Sequence, residues 1–142
     1  MRYSEEHKDA VRARIVEQAA MALRDRGIDG LGIPALMKRA GLTHGGFYCH
    51  FKERDELVSA AVRFAAEQTA ERVLDAPEHD LRGMVAAYLS ESHRDHPEVG
   101  CVVAALGAEA RHQGPAVRRT FAEVARGFLH KIQRRLHPRL PA

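Results

Sequence analysis

An all-α fold follows from three observations on this 142-residue chain. Ala, Leu, Arg and Glu dominate the composition, all of them good helix formers, and Trp is absent. Apolar residues recur at three- and four-residue spacing along most of the chain, and no segment shows the two-residue alternation of a half-buried strand. Gly27, Gly41, Gly100 and the Gly114-Pro115 pair punctuate the periodic stretches. The architecture expected is a three-helix head over residues 1–55, of helix-turn-helix type, joined through a shared fourth helix to a shortened helical body over residues 56–142.

Val11, Ile15, Ala19 and Leu23 recur every four residues, broadened by Val16 and Ala20, and predict an amphipathic first helix over about 8–26 with Gly27 as its stop. Ile33, Leu36, Met37 and Ala40 fit the i, i+3, i+4, i+7 face of a second helix. Pro34 lies in its first turn, where a missing N–H costs nothing, and Gly41 ends it. Thr43 is placed to cap a short third helix. A fourth starts near Glu53, with Leu57, Ala61, Phe64, Ala65 and Gln68 on one face, and fades near Leu74. Ala76 and Pro77 mark a break. A fifth helix is expected from Leu81 to about His93 and a sixth from about Cys101 to Arg111. The last runs from about Ala116 to Leu136, with Val117, Phe121, Val124, Phe128 and Ile132 along one side.

Composition removes several functional classes. Apolar residues at 45% permit a real core, and 29% charged residues suit a soluble globule. Cys49 and Cys101 make no disulfide framework, no membrane-length apolar run exists, and the N-terminus has no signal-peptide core, so a cytoplasmic protein is expected. The net charge of +3 is modest, so any affinity for nucleic acid has to come from local placement of cations. No phosphate-binding glycine loop after a strand, nucleophile elbow or His-Glu-x-x-His occurs, and an enzyme is not expected.

Residues 41–51, Gly-Leu-Thr-His-Gly-Gly-Phe-Tyr-Cys-His-Phe, hold the most specific pattern. Phe47 and Phe51 are four apart and, with Leu42, can plug the core made by the first two helices. That leaves His44, Gly45, Tyr48 and Cys49 towards the outside, with His50 at the far end. His44 suits a base edge or phosphate, Tyr48 a phosphate and a thymine methyl, and His50 a phosphate. Lys52 and Arg54 bring two cations to the start of the fourth helix, where its N-terminus also favours an anion. Gly45-Gly46 costs a short helix about 1 kcal/mol per glycine relative to alanine. Either a close backbone approach to bases or a tight turn in place of helix accounts for the pair.

From Ile15 to Leu57 the chain resembles the N-terminal DNA-binding domain of TetR-family transcriptional regulators. The resemblance rests on Ile15-(x)3-Ala19, Gly27, the Ile33/Leu36/Met37/Ala40 helix and Gly41-Leu42-Thr43-(x)3-Phe47-Tyr48-x-His50-Phe51, followed by Arg54 and Leu57. It implies that Thr43, His44, Gly45, Gly46, Tyr48 and His50 meet DNA and that Arg54 stands at the family's phosphate-binding lysine. It further implies a double-stranded operator, a small-molecule effector and a homodimer reading paired half-sites, with a ligand-responsive repressor as the leading function. Gly32-Ile33-Pro34 lacks the Ser or Thr that usually opens the second helix, and Glu53 replaces a small polar cap. The two closing helices that pair such proteins are not legible before Ala142. The stripe from Val117 to Ile132 is then either a substitute dimer seam or part of the body's own core. An interaction module that pairs with a full-length relative and modulates its DNA binding is the alternative function.

In the body the resemblance implies a mainly apolar effector cavity, assigned to Phe64, Met84, Tyr88, Cys101, Leu106, Phe121 and Phe128, which are also what any helical core would use. His93, His96 and Cys101 have spacing compatible with zinc, but nine histidines make such clusters easy by chance. No metal and no cofactor are expected. Cys101 is either a small buried hydrophobe or a sensor thiol activated by a cation such as Arg94 or Arg111.

Overall fold

The computed structural model describes residues 5–75 and 80–136, and among them every regular element is helical. The order is α1 (Glu5–Arg26), α2 (Ile33–Arg39), a 3₁₀ helix (His44–Cys49), α3 (Arg54–Thr69) and a π turn (Ala70–Leu74). Then come α4 (Leu81–Tyr88), α5 (Glu91–Asp95), a 3₁₀ turn (Pro97–Val99), α6 (Val102–Ala110) and α7 (Pro115–Leu136). The predicted break at Ala76 and Pro77 lies outside the described residues.

Two glycines set the corners of the head. Gly27 takes φ +81°, and its N–H donates to the Leu23 carbonyl at 2.8 Å, closing α1 with a left-handed residue. Gly41 takes φ +75°. The Gly41 N–H donates to Lys38 O and the Leu42 N–H to Met37 O, the paired bonds of a Schellman stop.

The expected fifth helix is two helices. Ser90 accepts from the His93 N–H at 3.1 Å and starts α5 afresh, while α4 ends at Tyr88. A serine whose hydroxyl caps the next turn competes with continuing the previous one.

One apolar cluster runs through both halves. Ile15, Ala19 and Leu23 of α1, Leu36 and Met37 of α2, and Phe47 and Phe51 share it with Leu57 and Val62 of α3, Val102 and Leu106 of α6, and Val117 and Phe121 of α7. Val124 and Phe128 pack against the same cluster from partly buried positions. The α7 stripe is therefore spent on the chain's own core at Val117 and Phe121, which corrects the notion of the whole stripe as a free dimer seam. A smaller cluster of Ala70, Val73, Leu74 and Met84 sits under α4, with Ile132 and Phe128 against it.

Polar ties fasten the head to the body. Arg24, 5% exposed, donates to Ala20 O at 3.0 Å, to Gly100 O at 3.0 Å and to Gln68 Oε1 at 2.7 Å. Four residues on, the Ile28 N–H donates to Glu109 Oε2 of α6 at 2.8 Å, and Arg54 donates to the Ile28 carbonyl. A Cβ on Gly27 would lie 2.8 Å from Glu109 Oε1, so glycine is required there by space as well as by φ. Arg24→Ala strips a buried carbonyl and amide of their donor and opens a cavity, so urea unfolding should register a loss of about 2–4 kcal/mol. Arg24→Met, which fills the volume and removes the buried charge, should cost clearly less.

Candidate nucleic-acid interface

Each side chain of the reading segment is placed by two buried rings. Phe47 and Phe51 stack with centroids 5.5 Å apart, and both are buried in the head core. The intervening residues have nowhere to turn but outward. Thr43, His44, Gly45 and Tyr48 are exposed, Tyr48 at 69%, its ring edge-on to Phe47 at 5.2 Å. Gly46 and His50 are half-buried, and Lys52 is exposed. The segment is 3₁₀ rather than α, and Gly46 N–H donates to the Thr43 carbonyl at 3.1 Å. This main-chain bond serves a donor that a cap would otherwise meet, so the Thr43 hydroxyl makes no cap, contrary to expectation. A Cβ on Gly45 would meet nothing within 4 Å, and one on Gly46 only ordinary contacts at 3.7 and 3.8 Å. Neither glycine has a positive φ, so internal packing demands glycine at neither position.

The cations divide differently from the sequence expectation. Arg54 turns its guanidinium to the Ile28 carbonyl in the α1–α2 link, an oxygen that also accepts from the Leu31 N–H at 3.2 Å. Lys52 stays exposed, while its main-chain N–H is held by Glu56 Oε2 at 2.8 Å. Glu56 also meets Arg12 at 3.3 Å, and Arg12 lies 4.6 Å from the Phe51 ring centroid. The Lys52 amide bond, with Arg12 assisting, draws the Glu56 carboxyl below its ordinary range. Lys38 and Arg39, exposed in the last turn of α2, add positive charge that the sequence reading did not single out.

His50 is held against this network. Its Nδ1 is buried without a hydrogen-bond partner among the described residues. Burial first, then the nearby Lys8 and Arg12, hold the imidazole pKa below its usual 6.5.

In the body, the seven residues assigned to one effector cavity are spread over several surroundings. Cys101 is buried, Leu106 and Phe121 are in the main core, Met84 is in the smaller cluster, and Phe64 and Phe128 are half-buried against the core. Tyr88 is 37% exposed. They were chosen as large apolar residues, and the core absorbs such residues first. Phe128 borders an open groove of about 280 Å³ between α3 and α7. A second cleft of about 280 Å³ opens between the end of α3, α4 and α5. His93 does not offer itself to a metal. Its Nε2 accepts from the Cys101 N–H at 3.1 Å and its Nδ1 faces Tyr88 O at 2.7 Å, which uses both ring nitrogens. No group of three metal-ligating side chains occurs among the described residues. Arg94 is paired with Asp95 and Arg111 with His112, and the cation felt by Cys101 is Arg24.

Residues 15–61 match the family model of bacterial regulatory proteins of the tetR family. Over those residues the chain is similar to the DNA-binding region of that family. Over 70 residues it is 30% identical to the HTH-type transcriptional regulator PksA of Bacillus subtilis, covering 49% of this chain and 34% of that protein. Over 102 residues it is 28% identical to an uncharacterized HTH-type transcriptional regulator of Mycobacterium tuberculosis, covering 70% of this chain and 53% of the other. The chain thus spans about half or less of the curated relatives it matches. A TetR transcriptional regulator from Chloroflexus aurantiacus superposes with a TM-score of 0.76 at 26% identity, over 94% of this chain and 70% of that one. The reduced form of Escherichia coli NemR gives a TM-score of 0.69 at 21% identity, over 91% and 70%, a likeness of fold alone. No helix among the described residues is long and apolar enough to cross a membrane.

The TetR-like head holds its aromatic plugs where the sequence reading put them, but that reading missed Arg24 and gave Gln68 and Glu109 no part in fixing the head. One signal was present: Val16, Ala20 and Arg24 continue a four-residue row, so the arginine had to enter the buried face. A histidine with a depressed pKa binds protons more readily in the unfolded chain, so its contribution to stability is present above pH 6.5 and lost as pH falls through its lower folded value. Melting temperature should therefore drop as the buffer is taken below 6.5, and His50→Asn should flatten that acid limb. An unchanged limb in the variant would assign it to other groups.

Proposed function

We propose that this chain is a TetR-family, sequence-specific DNA-binding transcriptional regulator that acts as a ligand-responsive repressor, and that it is not an enzyme. The observation that carries this reading is the face made by Thr43, His44, Gly45 and Tyr48, exposed over two buried phenylalanines. Gly45 leaves open space that the chain itself does not use, which supports close approach of a DNA edge. Tyr48 and His44 reach bases and phosphates, His50 donates to a phosphate, and Lys52 with the neighbouring Lys38 and Arg39 supplies the local positive charge. Arg54 orients the head from within. In this reading residues 1–55 form the DNA-binding unit and residues 56–142 the regulatory one, the operator is double-stranded, and two heads of a homodimer occupy paired half-sites. An effector held by the body acts by favouring one placement of the heads over another.

A second reading, a module that pairs with a longer relative, is favoured by one feature. Leu81, Val85 and Leu89 form a four-residue row on α4 and are 39%, 50% and 74% exposed.

Fluorescence anisotropy with a labelled duplex from the gene's own upstream region tests both. Affinity should fall steeply with added salt, and Tyr48→Ala should weaken it about tenfold. Gly45→Val should leave unfolding free energy within about 1 kcal/mol of wild type while lowering DNA affinity at least as much. A monomer in light scattering that binds the duplex with no salt dependence would sink the repressor reading and leave the pairing module.

A further inference from the structure

The cleft between the end of α3, α4 and α5 has an electrostatic character that nothing in the head requires. Arg72 stands at it with no hydrogen-bond or ion-pair partner among the described residues. No Asp or Glu is among its lining residues within the described part of the chain, and Val73, Ala87 and Val99 give it apolar walls. Thr69 and Val99, on opposite sides of the cleft, are the chain neighbours of Gln68 and Gly100, which hold the buried Arg24 guanidinium. A second cation therefore sits directly behind the wall. Arg24 is met only by neutral oxygens, and burial followed by the like charge of Arg72 lowers its pKa to about 10. Glu98 offsets this only in part, and its carboxylate is turned to His96 at 3.4 Å.

The remaining polar lining is mostly committed. Thr69 Oγ donates to Ala65 O, Ser90 Oγ caps α5, and both His93 nitrogens are used. One free guanidinium, a buried cation behind it and apolar walls suit a ligand with a single negative charge on a short apolar body. A dianionic phosphate needs more free donors than this cleft supplies.

We propose that this cleft binds a small organic monocarboxylate, its carboxylate on Arg72 and its hydrocarbon or aryl body against Val73, Ala87 and Val99. As an effector class the proposal rests on the regulator reading above, whereas as a binding site it stands on the cleft itself. The ligand's charge also acts on Arg24, a residue of the head's first helix whose guanidinium is anchored in the body. Neutralising the repulsion between Arg24 and Arg72 strengthens that anchor, which is a route from the cleft to the head.

Calorimetric titration of the full chain at fixed ionic strength, with hexanoate and phenylacetate as probes against hexanamide and phenylacetamide, tests the site. At least one acid should bind about tenfold or more tightly than its amide, and Arg72→Gln should abolish that preference. Arg82→Gln, an exposed arginine of α4 outside the cleft lining, should leave it intact. Acid and amide binding alike, wild-type affinity in Arg72→Gln, or no binding of either acid overturns the proposal. Inorganic phosphate binding as tightly as the acids overturns the part played by the apolar walls. The same acids added to the DNA complex separate the two readings: binding without any change in DNA affinity keeps the site and removes its effector role.

Discussion

A guanidinium taken out of water inside an apolar bundle has to find oxygen acceptors, and Arg24 finds them on three different parts of the chain. Its own helix supplies Ala20 O, the turn before α6 supplies Gly100 O, and α3 supplies Gln68. The desolvation cost is visible in its lowered pKa, and hydrogen bonds to a charged donor offset it. Because those acceptors lie on α1, α3 and the segment leading into α6, the position of α6 relative to the head is not free. The Ile28 amide, held by Glu109, repeats the constraint one turn later.

These ties change how the shared helix is understood. With α3 as the sole connection, the head would hang on a lever and tilt with it. Instead α1 ends in contact with α6, Gly27 is pressed against Glu109, and Arg54 at the base of α3 holds the same link from the other side. Any motion of the head must repack this corner. The polar corner and the apolar cluster thus make one body of what sequence periodicity divides at residue 55.

The reading segment follows a different economy. Two stacked rings fix it, a main-chain bond replaces a side-chain cap, and the glycines leave its outer surface bare. Little in the segment is used twice, since the buried residues orient and the exposed ones are left to a partner. His50 is the exception, with one nitrogen facing inward and unmet. Its depressed pKa follows from standing beside Lys8 and Arg12 in a partly dry place.

The sequence by itself determined what depends on local pattern. The helices of the head were legible because three- and four-residue spacing encodes a buried face, and their ends because Gly27 and Gly41 adopt the left-handed conformation a helix stop needs. The outward set at His44, Gly45, Tyr48 and Cys49 was legible because Phe47 and Phe51 had to go inward. Tertiary structure alone decided the destination of each long polar side chain. The Ile28 carbonyl beside Arg54, and Gly100 and Gln68 around Arg24, are partners that spacing along the chain does not reveal. Likewise spacing left Val117 and Phe121 as either seam or core, and packing against the main cluster puts them in the core. Spacing along a helix fixes which face a residue occupies, but what lies opposite that face is set by segments far away in sequence, as Ile28 and Glu109, 81 residues apart, show.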